Sequence, residues 1–172
     1  MNNEQAKEVL SFANDIQQQA YDIYRPPEDT GPSKSQHVIT HSIVRKSRGY
    51  IESIVHQING TYEHGWFDAC AVMIRKLLET LIIEVFEAHG ISSTLKNPQG
   101  HFLYLSELIP KTLAETTFNI SRNAQTALPK LKNVGDRSAH NRRYVAQRKD
   151  IDNIRDDLRD IVQEFLYLAG FK

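Results

Sequence analysis

Cysteine is almost absent from this chain: among 172 residues there is one, Cys70. A single cysteine cannot close an intrachain disulfide, and it cannot supply a cysteine-based zinc ribbon. It suits a reducing cytoplasm, the expected location, and its place in an apolar run reads as a small buried hydrophobe. An excess of charge of one sign is missing too. The 21 basic and 21 acidic residues cancel, so net charge gives no reason to expect a nucleic-acid or membrane surface. A balanced total can still hide a local basic patch. Long uninterrupted hydrophobic runs are lacking. The most apolar stretch, 69–86, is broken by Arg75, Lys76, Glu79 and Glu84, and reads as a buried helix with no membrane span. The first residues, MNNEQAKEVL, have no basic start followed by an apolar stretch, so no signal peptide is expected there. Glycine-rich phosphate loops, nucleophile elbows, dinucleotide fingerprints, repeats and low-complexity tracts are also missing.

What remains is helical periodicity. Residues 4–24 space Val9, Leu10, Phe12, Ala13, Ile16, Ala20, Ile23 and Tyr24 at three- and four-residue steps, as an amphipathic helix does. Pro26, Pro27, Gly31 and Pro32 then make 25–35 a linker. The chain therefore divides into an N-terminal helix and linker, 1–35, and a helical bundle, 36–172. Within the bundle, helices are expected over about 36–58, 62–88, 104–115, 121–134 and 151–168. Asn59-Gly60 reads as a stop, Pro129 as a kink or a start, Asp150 as a cap and Gly170 as an end. The helix over 62–88 has the widest apolar surface, which suits a central helix contacted on several sides. No run alternates with period two, so the fold class is all-α.

The unusual segment is 131–143, LKNVGDRSAHNRR. It is polar and basic, yet it sits between two amphipathic helices and reads as a tight corner. Gly135, Ser138 and Ala139 let neighbouring backbone come close. Asp136 and His140 are four apart, so on a helix they share a face and the carboxylate could orient the imidazole. Beside a phosphodiester, an imidazole moves protons and an arginine holds the phosphate. Arg137, Arg142 and Arg143 supply such charge. A purely structural account stands beside this one: Asp136 caps a helix and His140 bonds a neighbouring backbone. Arg75 and Glu79, four apart on the central helix, form either a salt bridge that fixes packing or a polar network reaching Asp136 and His140. His37 and His41 have metal-compatible spacing, but the sequence shows no acidic or cysteine ligand beside them; neither a metal nor a cofactor is expected.

Two of these segments carry a resemblance. Residues 66–79, WFDACAVMIRKLLE, look like the A-x-x-x-x-R-x-x-L-E helix of a bacterial domain family of unknown function within the HEPN superfamily (higher eukaryotes and prokaryotes nucleotide-binding). In that family a G-N-x-x-A-H segment follows, then a final helix opening with an acidic residue. Here the corresponding stretches are Gly135-Asp136-Arg137-Ser138-Ala139-His140 and the helix after Asp150. The resemblance covers about 62–168 and implies a HEPN-like up-and-down bundle with an extra N-terminal helix. HEPN ribonucleases carry an arginine, a polar residue, three more residues and then histidine. Aligned on His140, the polar position is Asp136, but the arginine position is Gly135. Arg137 is out of register. Unless Arg75, Arg142 or Arg143 replaces the missing charge in space, catalysis by His140 and Asp136 lacks a component.

The resemblance thus implies a non-catalytic domain that dimerises and binds RNA, a nucleotide or a partner protein, in settings such as phage defence or toxin–antitoxin systems. Two alternatives stay open: a metal-independent ribonuclease using His140 with a relocated arginine, and a structural or regulatory subunit. The wide apolar face of 62–88 and the detachable first helix motivate dimerisation.

Overall fold

The computed structural model of the chain describes residues 12–16 and 37–171. Most of the expected N-terminal helix and the whole expected linker lie outside these residues. The described piece, 12–16, is helical, with Phe12 and Ile16 exposed. From residue 37 onward the described fold is all-helical: α1 (His41–Val44), α2 (Gly49–Glu63), α3 (Phe67–Ala88), a 3-10 turn (Ser92–Leu95), α4 (Leu105–Ala114), α5 (Arg122–His140), α6 (Arg148–Asp152) and α7 (Arg155–Leu168). Among the described residues the only strand-like pairing is one isolated bridge, Lys96 with Phe102.

The apolar spacing of α3 places it at the centre. Cys70, Ala71, Ile74, Leu77, Leu78, Leu81, Ile82, Val85 and Phe86 are all buried, and α2, α4, α5, α6 and α7 all pack on this helix. Each fully buried leucine or isoleucine contributes about 1.5–3 kcal/mol of transfer free energy. This packing consumes within one chain the apolar face that motivated dimerisation. Among the described residues no helix is long and apolar enough to cross a membrane.

Four boundaries differ from expectation. The helix expected over 36–58 is split at 45–48. Lys46 takes a positive φ of 76°, and its N–H bonds the Glu52 carboxylate at 3.2 Å. The expected stop at Asn59-Gly60 is helix interior. Asn59 is buried, and its amide clamps the segment before α1: Oδ1 accepts from Ile39 N at 3.1 Å, and Nδ2 donates to Ile39 O at 2.8 Å. The reversal comes five residues later, at Gly65, whose φ of 73° a glycine adopts without strain. The helix expected over 121–134 runs on to His140, through Pro129. Finally, the helix starts before Asp150: Gln147 is the N-cap of α6, and Asp150, three residues on, accepts from Gln147 N at 2.9 Å. A tighter turn at Ile154, whose N–H bonds Ile151 O, then separates α6 from α7.

A closed polar cluster pins α2 to α6 and α7. The Tyr62 hydroxyl donates to Asp152 and accepts from Arg155. Arg155 also pairs with Asp152, and Arg148 Nε reaches the phenol oxygen at 3.4 Å. Burial, then the hydrogen bond to Asp152, raises the Tyr62 pKa above its ordinary 10.0.

Candidate functional site

Because α5 continues to His140, the segment read as a corner forms the last turns of a helix lying on α3. Gly135 makes that seam possible. A Cβ there would sit 3.0 Å from Arg75 Cβ and 3.1 Å from the Ala71 carbonyl oxygen. Gly135 is the position that an alignment on His140 with the HEPN ribonuclease motif would give to arginine. Here it is a buried close approach of the two helices, and a side chain could enter only if Arg75 or the Ala71 backbone gave way.

The charge comes instead from α3. Arg75 Nη1 lies 3.3 Å from Asp136 Oδ1 and 3.2 Å from His140 Nε2. Its Nε lies 3.5 Å from Glu79 Oε1. A guanidinium has donors only, so in this contact the acceptor is His140 Nε2. Arg75 thus makes the salt bridge to Glu79 and, with another nitrogen of the same guanidinium, the contacts to Asp136 and His140. Asp136 is held from its own helix as well, by Lys132.

Beyond His140 the chain turns at Asn141. Its N–H bonds Arg137 O at 3.1 Å, and its Oδ1 accepts from Arg143 N at 3.0 Å. The loop is then tied back to the first turn of α3, where Asp68 Oδ1 accepts from Ala146 N at 3.0 Å. Arg137 lies over the face of Tyr144, with Cζ 3.9 Å from the ring centroid. Burial, then the Asp150 carboxylate, raises the pKa of this phenol above 10.0.

Helix end and loop enclose an open groove of about 530 Å³, lined by Asp136, Arg137, His140, Asn141, Arg142 and Arg143. Arg75, Lys132, Arg137, Arg142 and Arg143 face two carboxylates, Asp136 and Glu79, so a chain of zero net charge concentrates positive charge here. Arg137, Arg142 and Arg143 form no ion pair among the described residues. An open groove with unpaired guanidinium groups can bind phosphate oxygens in bidentate fashion.

The candidate residues of the 131–143 segment and the Arg75–Glu79 pair thus meet at one place: His140, Asp136, Arg137, Arg142 and Arg143 around the groove, with Arg75 and Glu79 behind them. Sequence reasoning missed Lys132, Asn141, Tyr144 and Asp68. The first two lie inside the segment already singled out. Asp68 stands in the first turn of α3, where an acidic residue favours the helix start. Nothing in the sequence marks Tyr144.

The remaining candidates lie elsewhere. His56 of α2 joins His37 and His41, with ring centroids 5.7 and 6.1 Å apart along the series. Among the described residues no three His, Cys, Asp or Glu side chains are placed to hold a metal ion. Cys70 is buried, and burial pushes its thiol up to about 12, which removes it as a nucleophile at neutral pH. Comparison of the chain with protein-family models, with curated proteins and with solved structures finds no match.

Proposed function

We propose that this chain is a HEPN-like helical domain whose groove at the end of α5 binds RNA through its phosphates without cleaving it. One observation carries the reading: Arg137, Arg142 and Arg143 surround an open groove and have no carboxylate partner among the described residues. Basic residues in the last helical turn also answer the negative end of the helix. That accounts for Arg137 and His140. It does not account for Arg142 and Arg143, which lie beyond the helix, or for Arg75, which reaches in from α3. The Gly135 seam supports a binding role over a catalytic one, because an arginine there would press on Arg75 and the Ala71 carbonyl.

A second reading is favoured by the 3.2 Å contact between Arg75 and His140. If a phosphodiester displaces that contact, Arg75 holds a phosphate oxygen and the freed Nε2 takes the proton of a ribose 2′-hydroxyl. The 2′-oxygen bonds to phosphorus, the P–O5′ bond breaks, and the leaving oxygen takes a proton from water.

One experiment separates the two. Labelled single-stranded RNA is titrated with the full chain in a chelator, using wild type, Arg75→Lys and His140→Ala. The expected result is intact RNA and binding that weakens steeply between about 50 and 200 mM salt. Cleavage abolished by His140→Ala would replace the proposal by the second reading. No RNA binding at low salt would overturn both. Pairing of two copies belongs to the same proposal, and the exposed Phe12 and Ile16 are apolar surface left for it. A monomeric mass at micromolar concentration would remove that part.

A further inference from the structure

We infer that Arg137 is a stacking platform, and that the groove therefore takes single-stranded RNA with an unpaired base laid on the outer face of the Arg137 guanidinium. The inference rests on the phosphate-binding reading and adds a base-recognising element to it.

Three observations carry it. First, at 3.9 Å from the centroid the guanidinium carbon must lie over the ring of Tyr144, because an edge approach would keep it farther away. Second, the ring is itself held. Tyr144 is half-buried, and the loop that bears it is fastened to α3 through Ala146 and Asp68. Arg137 thus gives up little rotamer freedom when a ligand arrives. Third, Arg137 is exposed, lines the groove and forms no ion pair among the described residues. Tyr144 thus occupies one side of the guanidinium, while Arg137 is also part of the groove wall.

A guanidinium stacks on aromatic faces through both dispersion and charge, and every nucleobase offers such a face. Phosphate contacts to Arg142 and Arg143 would place the backbone, and the column of Tyr144, Arg137 and base would hold one nucleotide. A duplex keeps its bases stacked on each other and cannot supply one. Lysine keeps the charge of arginine and loses its plane, which makes Arg137→Lys the discriminating change.

The test measures anisotropy of a labelled single-stranded RNA, of an abasic oligomer with the same number of phosphates, and of the same RNA as a duplex. A nucleoside monophosphate serves as competitor. Wild type should bind the single strand more tightly than the abasic oligomer or the duplex, and the monophosphate should compete only weakly. Arg137→Lys should weaken single-strand binding roughly tenfold and leave abasic binding within about twofold. Tyr144→Leu, which removes the support and leaves the charge, should act in the same direction. Circular dichroism of each variant verifies folding, and Arg137→Lys alone decides the matter if Tyr144→Leu fails to fold. Equal loss on both oligomers, or loss on neither, would reduce Arg137 to a point charge and overturn the stacking. A monophosphate that competes as well as the oligomer would move the ligand to free nucleotides. If wild type binds neither oligomer at low salt, the phosphate-binding reading itself fails.

Discussion

Two polar clusters of this molecule are built from nearly the same parts and end in opposite conditions. At the base of α7, Arg148 and Arg155 converge on Asp152 and the Tyr62 hydroxyl, and each group is answered by another. At the end of α5, Arg75 and Lys132 converge on Asp136 in the same way, but three further arginines stand around them and form no ion pair among the described residues. The first cluster is a closed pin whose charges are used up in holding helices together. The second is open. Arginine content alone does not distinguish the two; the pairing of each guanidinium does.

The sharpest way to break this comparison is to place an arginine at Gly135, the position that the proposed HEPN register gives to one. Gly135→Arg puts a Cβ 3.0 Å from Arg75 Cβ and 3.1 Å from the Ala71 carbonyl oxygen, so these neighbours must shift before the rest of the side chain is placed. Overpacking of this kind costs about 2–3 kcal/mol, or a fall in Tm of roughly 4–12 °C for a chain of this size. Thermal unfolding followed by circular dichroism measures it. An unchanged Tm together with a gain of RNA cleavage would show that the seam yields and that the register was only one substitution from a nuclease.

A smaller effect is expected in the closed cluster. Tyr62→Phe leaves Asp152 and Arg155 without the phenol between them, at about 1–3 kcal/mol. RNA binding and its salt dependence should not change. The phenol also makes a pH signature. Its folded pKa is raised by burial first and by Asp152 second, so its contribution is fully present below the unfolded value near 10 and is lost as pH rises through the folded one. Wild type should therefore lose more stability than Tyr62→Phe above about pH 10. Parallel stability–pH curves for the two proteins would show that the phenol does not titrate with folding.

Much of this comparison could be read from the sequence, and what could not has a physical reason. The central helix was legible because its apolar residues cover so much of its surface that only burial on several sides satisfies them. Gly135 was legible as a missing arginine by register, but its role as a close-approach point depends on Ala71 and Arg75, some sixty residues earlier in the chain. The partner of His140 was open among three arginines for the same reason: Arg75 is adjacent only after α3 and α5 cross. The corner expected at 131–143 failed because small polar residues signal a turn when exposed and a helix seam when one of them is buried. Asn59-Gly60 failed in the same way. An asparagine beside a glycine signals a turn, until its amide finds a buried backbone such as that of Ile39.

The smallest effect on stability should come from the residues that matter most for the open cluster. Arg142 and Arg143 are exposed, follow the last turn of α5 and hold no ion pair among the described residues. Truncating them removes no packing and no partner, so Arg142→Ala with Arg143→Ala should keep stability within about 0.5 kcal/mol of wild type. If each contacts one phosphate of a single strand, each releases counterions on binding. The slope of log affinity against log salt should then become shallower by about 0.7 per arginine. Thermal unfolding and RNA titration at four salt concentrations, on the same preparation, measure both quantities. A lower Tm with an unchanged slope would invert the comparison, because the open cluster would then hold the fold together just as the Tyr62 cluster does. An unchanged Tm with a shallower slope is the result required if unpaired guanidinium groups are what separates a binding groove from a structural pin.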